Sequence, residues 1–67
     1  FPGRSAGLET LSPREREVLT LLARGLSYKL VAAELGIGFE TVRTHIKRIY
    51  EKLHVHSVTA ALAKWRP

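Results

Sequence analysis

The chain has 67 residues, 11 Lys and Arg against 6 Asp and Glu, a formal charge of +5 and a pI near 10.3. A chain this short forms one domain and buries only about 60% of the surface its unfolded form exposes, which excludes a catalytic cleft between domains. It has no Cys, which excludes disulfides, iron-sulfur clusters, thiol catalysis and zinc sites of the Cys type. The basic balance makes a polyanion the first partner to consider. No apolar run approaches the roughly 18 residues of a membrane span, and the N-terminus lacks a signal-peptide layout, so a cytoplasmic chain away from membranes is expected. With no initiator Met before Phe1, the chain is expected to be a piece of a longer protein.

Residues 1–7 contain Pro, Gly and Ser without an apolar period and are expected to be the end of an interdomain linker, with the domain over 8–67. Ser12-Pro13-Arg14-Glu15 predicts a helix start, because the Ser12 hydroxyl can accept the Glu15 amide while the Glu15 carboxylate reaches back to the Ser12 amide. Pro13 then occupies the first helical position, where its missing N–H has no consequence. Leu11, Val18, Leu19 and Leu22 form the apolar stripe of a helix over Pro13–Ala23, and Gly25 suits a left-handed stop. Ser27 caps a short second helix, Tyr28–Leu35, with Val31, Ala32 and Leu35 on one face and Gly36 as its stop. Gly36-Ile37-Gly38 leaves room only for a sharp turn. Val42, Ile46, Ile49 and Leu53 are spaced four, three and four apart, one face of a third helix, Phe39–Leu53. Ser57 caps a last helix over 58–65. Helix content well above the usual third makes the fold class all-α, with four helices.

Opposite its apolar stripe the third helix carries Arg43, Thr44 and Lys47, with Arg48 and Glu51 toward the flank. A buried stripe that holds a helix in place while the other side presents a guanidinium, a hydroxyl and an ammonium has the form of a major-groove reader. Arg43 and Lys47 can donate to guanine O6 and N7, and the Thr44 methyl can pack on a thymine methyl. With no Asn or Gln, the paired amide contact to adenine is excluded. Ser27, Tyr28, Lys29 and Thr41 lie at the helix starts beside this cluster, where free amides and hydroxyls bind phosphate, and Arg48 joins them on the flank. The opposing reading, a merely solvated charged face, does not account for the cations falling on the helix after a Gly-rich turn.

These residues resemble a known family. Leu11-Ser12-Pro13-Arg14-Glu15-Arg16-Glu17-Val18-Leu19, then Gly25-Leu26-Ser27, then 32–37, then Thr41-Val42-Arg43-Thr44-His45 and Lys52-Leu53, look like the LuxR (GerE) type helix-turn-helix domain over about 8–63. The wording of 41–53 is most similar to the NarL/FixJ group of response regulators. The resemblance implies a tri-helical core whose third helix enters the major groove and a fourth helix that pairs two protomers. It places Arg43, Thr44 and Lys47 at base contacts, and Thr41 and Lys52 near phosphate contacts. Gly38 stands where that family usually has Ser or Thr, Leu30 where it has Glu, and His54 where it has Gly.

The last helix is apolar nearly all round, so Val58, Ala61, Leu62 and Trp65 are expected to form a self-association surface, with Trp65 folded back as core as the alternative. His54 and His56 offer two metal ligands without a third, and His45 lies among packed residues, so no metal or cofactor is expected. With no Asp, and with Ser12, Ser27 and Ser57 explained as caps, the chain is expected not to be an enzyme. The function expected is sequence-specific binding of double-stranded DNA as the output domain of a bacterial transcriptional regulator, acting as a homodimer. RNA polymerase is a further candidate partner, and a regulatory N-terminal domain is expected in the parent chain. A response regulator's phosphoacceptor would lie upstream, since this chain has no Asp. Two rivals stay open: a sigma-factor-like promoter-reading domain, and a helical module that binds an acidic protein.

Overall fold

The computed structural model describes residues 11–65, so the linker end expected at 1–7 lies outside the described residues. Four α-helices follow in the order α1 Pro13–Ala23, α2 Tyr28–Leu35, α3 Phe39–Leu53 and α4 Val58–Lys64, and the described residues contain no strand. The all-α expectation is met. Only the last boundary differs: α4 stops one residue earlier than predicted, because Trp65 turns extended at φ −89° and ψ 121° while its amide still reaches the Ala61 carbonyl at 2.9 Å.

Each helix start follows from a local residue. The Ser12 hydroxyl accepts the Glu15 amide at 3.2 Å, and the Ser12 amide donates to Glu15 Oε1 at 2.9 Å, so two otherwise unpaired amides are satisfied reciprocally. Ser27 and Ser57 accept the amides of Leu30 and Ala60 at 3.3 and 3.1 Å. Gly38 begins α3 with no side-chain cap, a loss of only a few tenths of a kcal/mol.

The first three helix stops share one design. Gly25, Gly36 and His54 take left-handed φ values of 91°, 67° and 57°. The next residue's amide then reaches back to a carbonyl in the last turn: Leu26 to Leu21 at 3.2 Å, Ile37 to Ala32 at 3.0 Å and Val55 to Tyr50 at 3.0 Å. This reversal carries Leu26, Ile37 and Val55 onto the core, so each stop also aims the chain inward.

Helix α3 is packed by α1, α2 and α4. Its stripe of Val42, Ile46, Ile49 and Leu53 meets Val18, Leu19, Val31 and Ala61 in one continuous core. Burying each such aliphatic side chain contributes about 1.5–3 kcal/mol, so rotating α3 to hide its other face would forfeit several of these at once.

The fourth helix corrects one expectation. Ala61 is 1% exposed and lies within the core, so its side chain packs inside its own domain and offers almost no surface to a partner. Its small side chain is what lets α4 lie close to α1 and α3. Val58, Leu62 and Trp65 are half-buried and packed against the core, so Trp65 does fold back onto its own domain in part. Lys64 fastens the helix from its far end by donating to the Leu53 carbonyl at 2.7 Å.

Candidate nucleic-acid interface

With its inner stripe fixed, α3 leaves Arg43, Thr44, Lys47 and Arg48 exposed together with Glu40, Thr41 and Glu51. The Arg43 guanidinium stands 3.5 Å from the Glu40 carboxylate, both well exposed. The Thr44 hydroxyl donates to the Glu40 carbonyl one turn back at 3.0 Å. That bond occupies the hydroxyl hydrogen and leaves the Thr44 methyl as its free apolar feature.

Ser27, Lys29 and Thr41 are exposed at the starts of α2 and α3. Tyr28 is half-buried instead: its ring lies 6.4 Å from that of Phe39, tilted by 45°, and its hydroxyl is 3.5 Å from the Tyr50 hydroxyl. Burial, reinforced by that hydrogen bond, pushes the Tyr50 phenol up to about 12, so it stays protonated at neutral pH. Tyr28 thus braces the entrance of α3 through Phe39 and its far turns through Tyr50. At Gly38 an added Cβ would meet nothing closer than Thr41 Oγ1 at 3.8 Å, so the missing cap reflects the residue and not a lack of space.

Lys52, expected near phosphate, has its ammonium 2.8 Å from Glu15 Oε1, the same oxygen that holds the Ser12 amide. The Glu15 side chain is 4% exposed. Burial alone would raise its carboxyl. The Lys52 hydrogen bond, the Ser12 amide and the charges of Lys52 and His45 outweigh burial and hold it below the ordinary 4.5. His45 is half-buried beside this pair, and its Nδ1 has no hydrogen-bond partner among the described residues. His54 and His56 are exposed, and the described residues gather no group of three or more His, Cys, Asp or Glu able to hold a metal.

The fold therefore brings Arg43, Thr44, Lys47 and Arg48 onto one outer face and keeps Ser27, Lys29 and Thr41 beside it. It turns Tyr28 and Lys52 toward internal partners. Sequence reasoning missed Glu40, whose signal was available in its three-residue spacing from Arg43. It also missed Phe39 and Tyr50, whose contacts join different helices.

A helix locked along one side by its neighbours, entered through a tight turn and offering cations and hydroxyls on the other, defines a helix-turn-helix domain built to lie in a DNA groove. The family model of bacterial regulatory proteins, luxR family, matches residues 9–64, and the chain belongs to that family, whose domain binds DNA. Among its relatives, "Probable HTH-type transcriptional regulator GfsR" of Streptomyces halstedii is 44% identical over 63 residues, 94% of this chain and 26% of that protein. "Probable transcriptional regulatory protein NarL" of Mycobacterium tuberculosis is 52% identical over 54 residues, 81% of this chain and 25% of that protein. The crystal structure of the response regulator ChrA, of a heme-sensing two-component system, superposes with a TM-score of 0.80 at 47% identity, covering 82% of this chain and 27% of that one. The chain thus spans about a quarter of the length of these relatives.

Proposed function

We propose that this chain, over residues 8–67, is the output domain of a bacterial two-component response regulator that reads double-stranded DNA in the major groove with Arg43, Thr44 and Lys47. The carrying observation is the fixed orientation of α3: Val42, Ile46, Ile49 and Leu53 are buried, so the three reading side chains face outward on rigid backbone. Ser27, Lys29, Thr41 and Arg48, exposed on either side, supply phosphate contacts. Lys52 is left out of that set because its ammonium faces Glu15. The outward sides of Val58, Leu62 and Trp65 pair two copies on adjacent half-sites. The parent chain carries the regulatory domain upstream, RNA polymerase is the partner that reads out binding, and the protein works in the cytoplasm as a binding module without chemistry of its own. No helix among the described residues is long and apolar enough to cross a membrane, which accords with that location.

Titration against random and selected duplexes at two salt concentrations tests the reading. Displacing about two counterions, as Lys29 and Arg48 on phosphate would, gives a slope of log K on log salt of about −2 per protomer. Arg43→Ala is expected to lower affinity for the selected duplex by about 1–3 kcal/mol and to relax preference at one base pair. An equal loss on random DNA would remove Arg43 from base reading, and weak, indiscriminate binding to every duplex would favour an acidic protein partner instead.

A further inference from the structure

The outer face of α3 begins one turn before Arg43. Glu40 stands three residues before Arg43, four before Thr44 and seven before Lys47, so the four side chains form one strip. Glu40 is 81% exposed and Arg43 59% exposed, with the carboxylate 3.5 Å from the guanidinium. Glu40 also lies in the first turn of α3, the end of a recognition helix that contacts base edges.

Neither member of the pair is needed to hold the fold together, since an exposed ion pair of this kind adds little to stability. On a surface that meets a polyanion a carboxylate is repelled by phosphate unless a donor waits for it. The major groove offers two such donors, the amino groups of cytosine and adenine. Beside the adenine amino group lies the N7 acceptor, which repels a group that can only accept. The cytosine amino group has an acceptor on one side only, the guanine O6 of its own pair, whereas the adenine amino group lies between N7 and thymine O4, so cytosine is the better match for a carboxylate, as guanine is for the Arg43 guanidinium. Three residues advance about 4.5 Å along the helix, close to the ~3.4 Å between successive bases.

Resting on the major-groove reading of α3, we propose that Glu40 is a specificity-determining residue that accepts a hydrogen bond from a cytosine amino group in the base pair next to the one Arg43 reads. In the free chain the two side chains face each other; on the duplex each turns to its own base. The arrangement exchanges affinity for discrimination, because the carboxylate restrains Arg43 from neutralising phosphate on wrong sequences.

Binding-site selection from random duplexes, run on the chain, Glu40→Gln, Glu40→Ala and Arg43→Ala, tests this. The chain is expected to select a cytosine adjacent to the guanine whose preference Arg43→Ala erases. Glu40→Gln is expected to exchange that cytosine for adenine, which an amide pairs in both directions. Glu40→Ala is expected to leave the position unspecified, to raise binding to random duplex several-fold and to cut the target-to-random ratio about tenfold. Loss of a favourable charge at the start of α3 would shift melting without changing the base chosen, so the selected base separates reading from support. Unchanged base preferences in both Glu40 variants, with the ratio within about twofold of the parent chain, would overturn the assignment while leaving major-groove reading intact. A chain that selects no sequence at all would overturn that reading, and this assignment with it.

Discussion

Lys52 and Glu15 meet at 2.8 Å across 37 residues of sequence, and so tie the last turn of α3 to the first turn of α1. The same Glu15 oxygen receives the Ser12 amide, which makes one carboxylate both a helix cap for α1 and a brace for α3. Because the folded carboxyl titrates below its ordinary 4.5, its contribution is fully present above that value and is lost as pH falls through the lower folded value. Urea unfolding from pH 7 down to pH 3 is therefore expected to show the chain losing stability below about pH 4.5. Glu15→Gln, about 1–2 kcal/mol less stable at pH 7, should converge on the parent at the acidic end. A gap that stays constant across this range would show that the charge plays no part.

Removing the other partner has a different consequence. Lys52 is half-exposed and can be rehydrated when Glu15 is changed, but Glu15 cannot be when Lys52 is changed. Lys52→Met, which keeps the apolar stem, strands a buried carboxylate and is expected to destabilise by about 2–3 kcal/mol, more than Glu15→Gln. Its effect on DNA binding should operate through the population folded. At a temperature where both proteins are folded, the salt slope should be unchanged, whereas a slope reduced by about 1 would return Lys52 to the phosphate contacts.

Much of this architecture was legible because its determinants are local. The Ser12–Glu15 box, the serines before α2 and α4, and the Gly25 and Gly36 stops lie within a few residues of the groups they satisfy, and the predicted bounds of the first three helices are the observed ones. The outer face of α3 was legible for the same reason, since a four, three, four spacing of Val42, Ile46, Ile49 and Leu53 determines what lies opposite. Pairing across the fold was not. Nothing near Lys52 announces a carboxylate 37 positions away, so the phosphate role that the family resemblance implied for it had no local sign against it. In α4 nearly every side chain is apolar, so periodicity could not choose which side faces inward. The small Ala61 takes the closest approach, and the larger Leu62 and Trp65 remain half-buried.

His54 closes α3 in the left-handed conformation, φ 57° and ψ 48°, which Gly25 and Gly36 adopt without a side chain. A Cβ there crowds the following carbonyl, while Gly at the same place adds entropy to the unfolded chain, so the two effects partly cancel. His54→Gly is expected to stabilise by about 0.5–1 kcal/mol, read as a higher urea midpoint at constant m-value. The opposite exchange at the neighbouring stop, Gly36→His, should destabilise by a similar amount although nothing lies within 4 Å of the added Cβ. Both effects should be independent of DNA binding, because His54 sits at the end of α3 away from Arg43 and Thr44.

Two adjacent residues of α4 test folding apart from the proposed self-association. Ala61 is buried against the core, so Ala61→Leu forces extra volume into a packed interior and is expected to cost about 1–3 kcal/mol, with helicity and DNA binding lost together on warming. Leu62 is half-buried with one side outward, so Leu62→Glu should retain the helical spectrum and one-site binding while losing the two-site occupancy that depends on an apolar contact between protomers. Sedimentation on a duplex bearing two half-sites reads the difference directly: the parent chain is expected to load two copies and Leu62→Glu only one. If both load two copies with equal spacing dependence, α4 does not pair the protomers, and its apolar outer side must be explained by another segment of the parent protein. If Leu62→Glu instead melts at or below the temperature of Ala61→Leu, Leu62 acts chiefly as core, and the pairing surface shrinks to Val58 and Trp65.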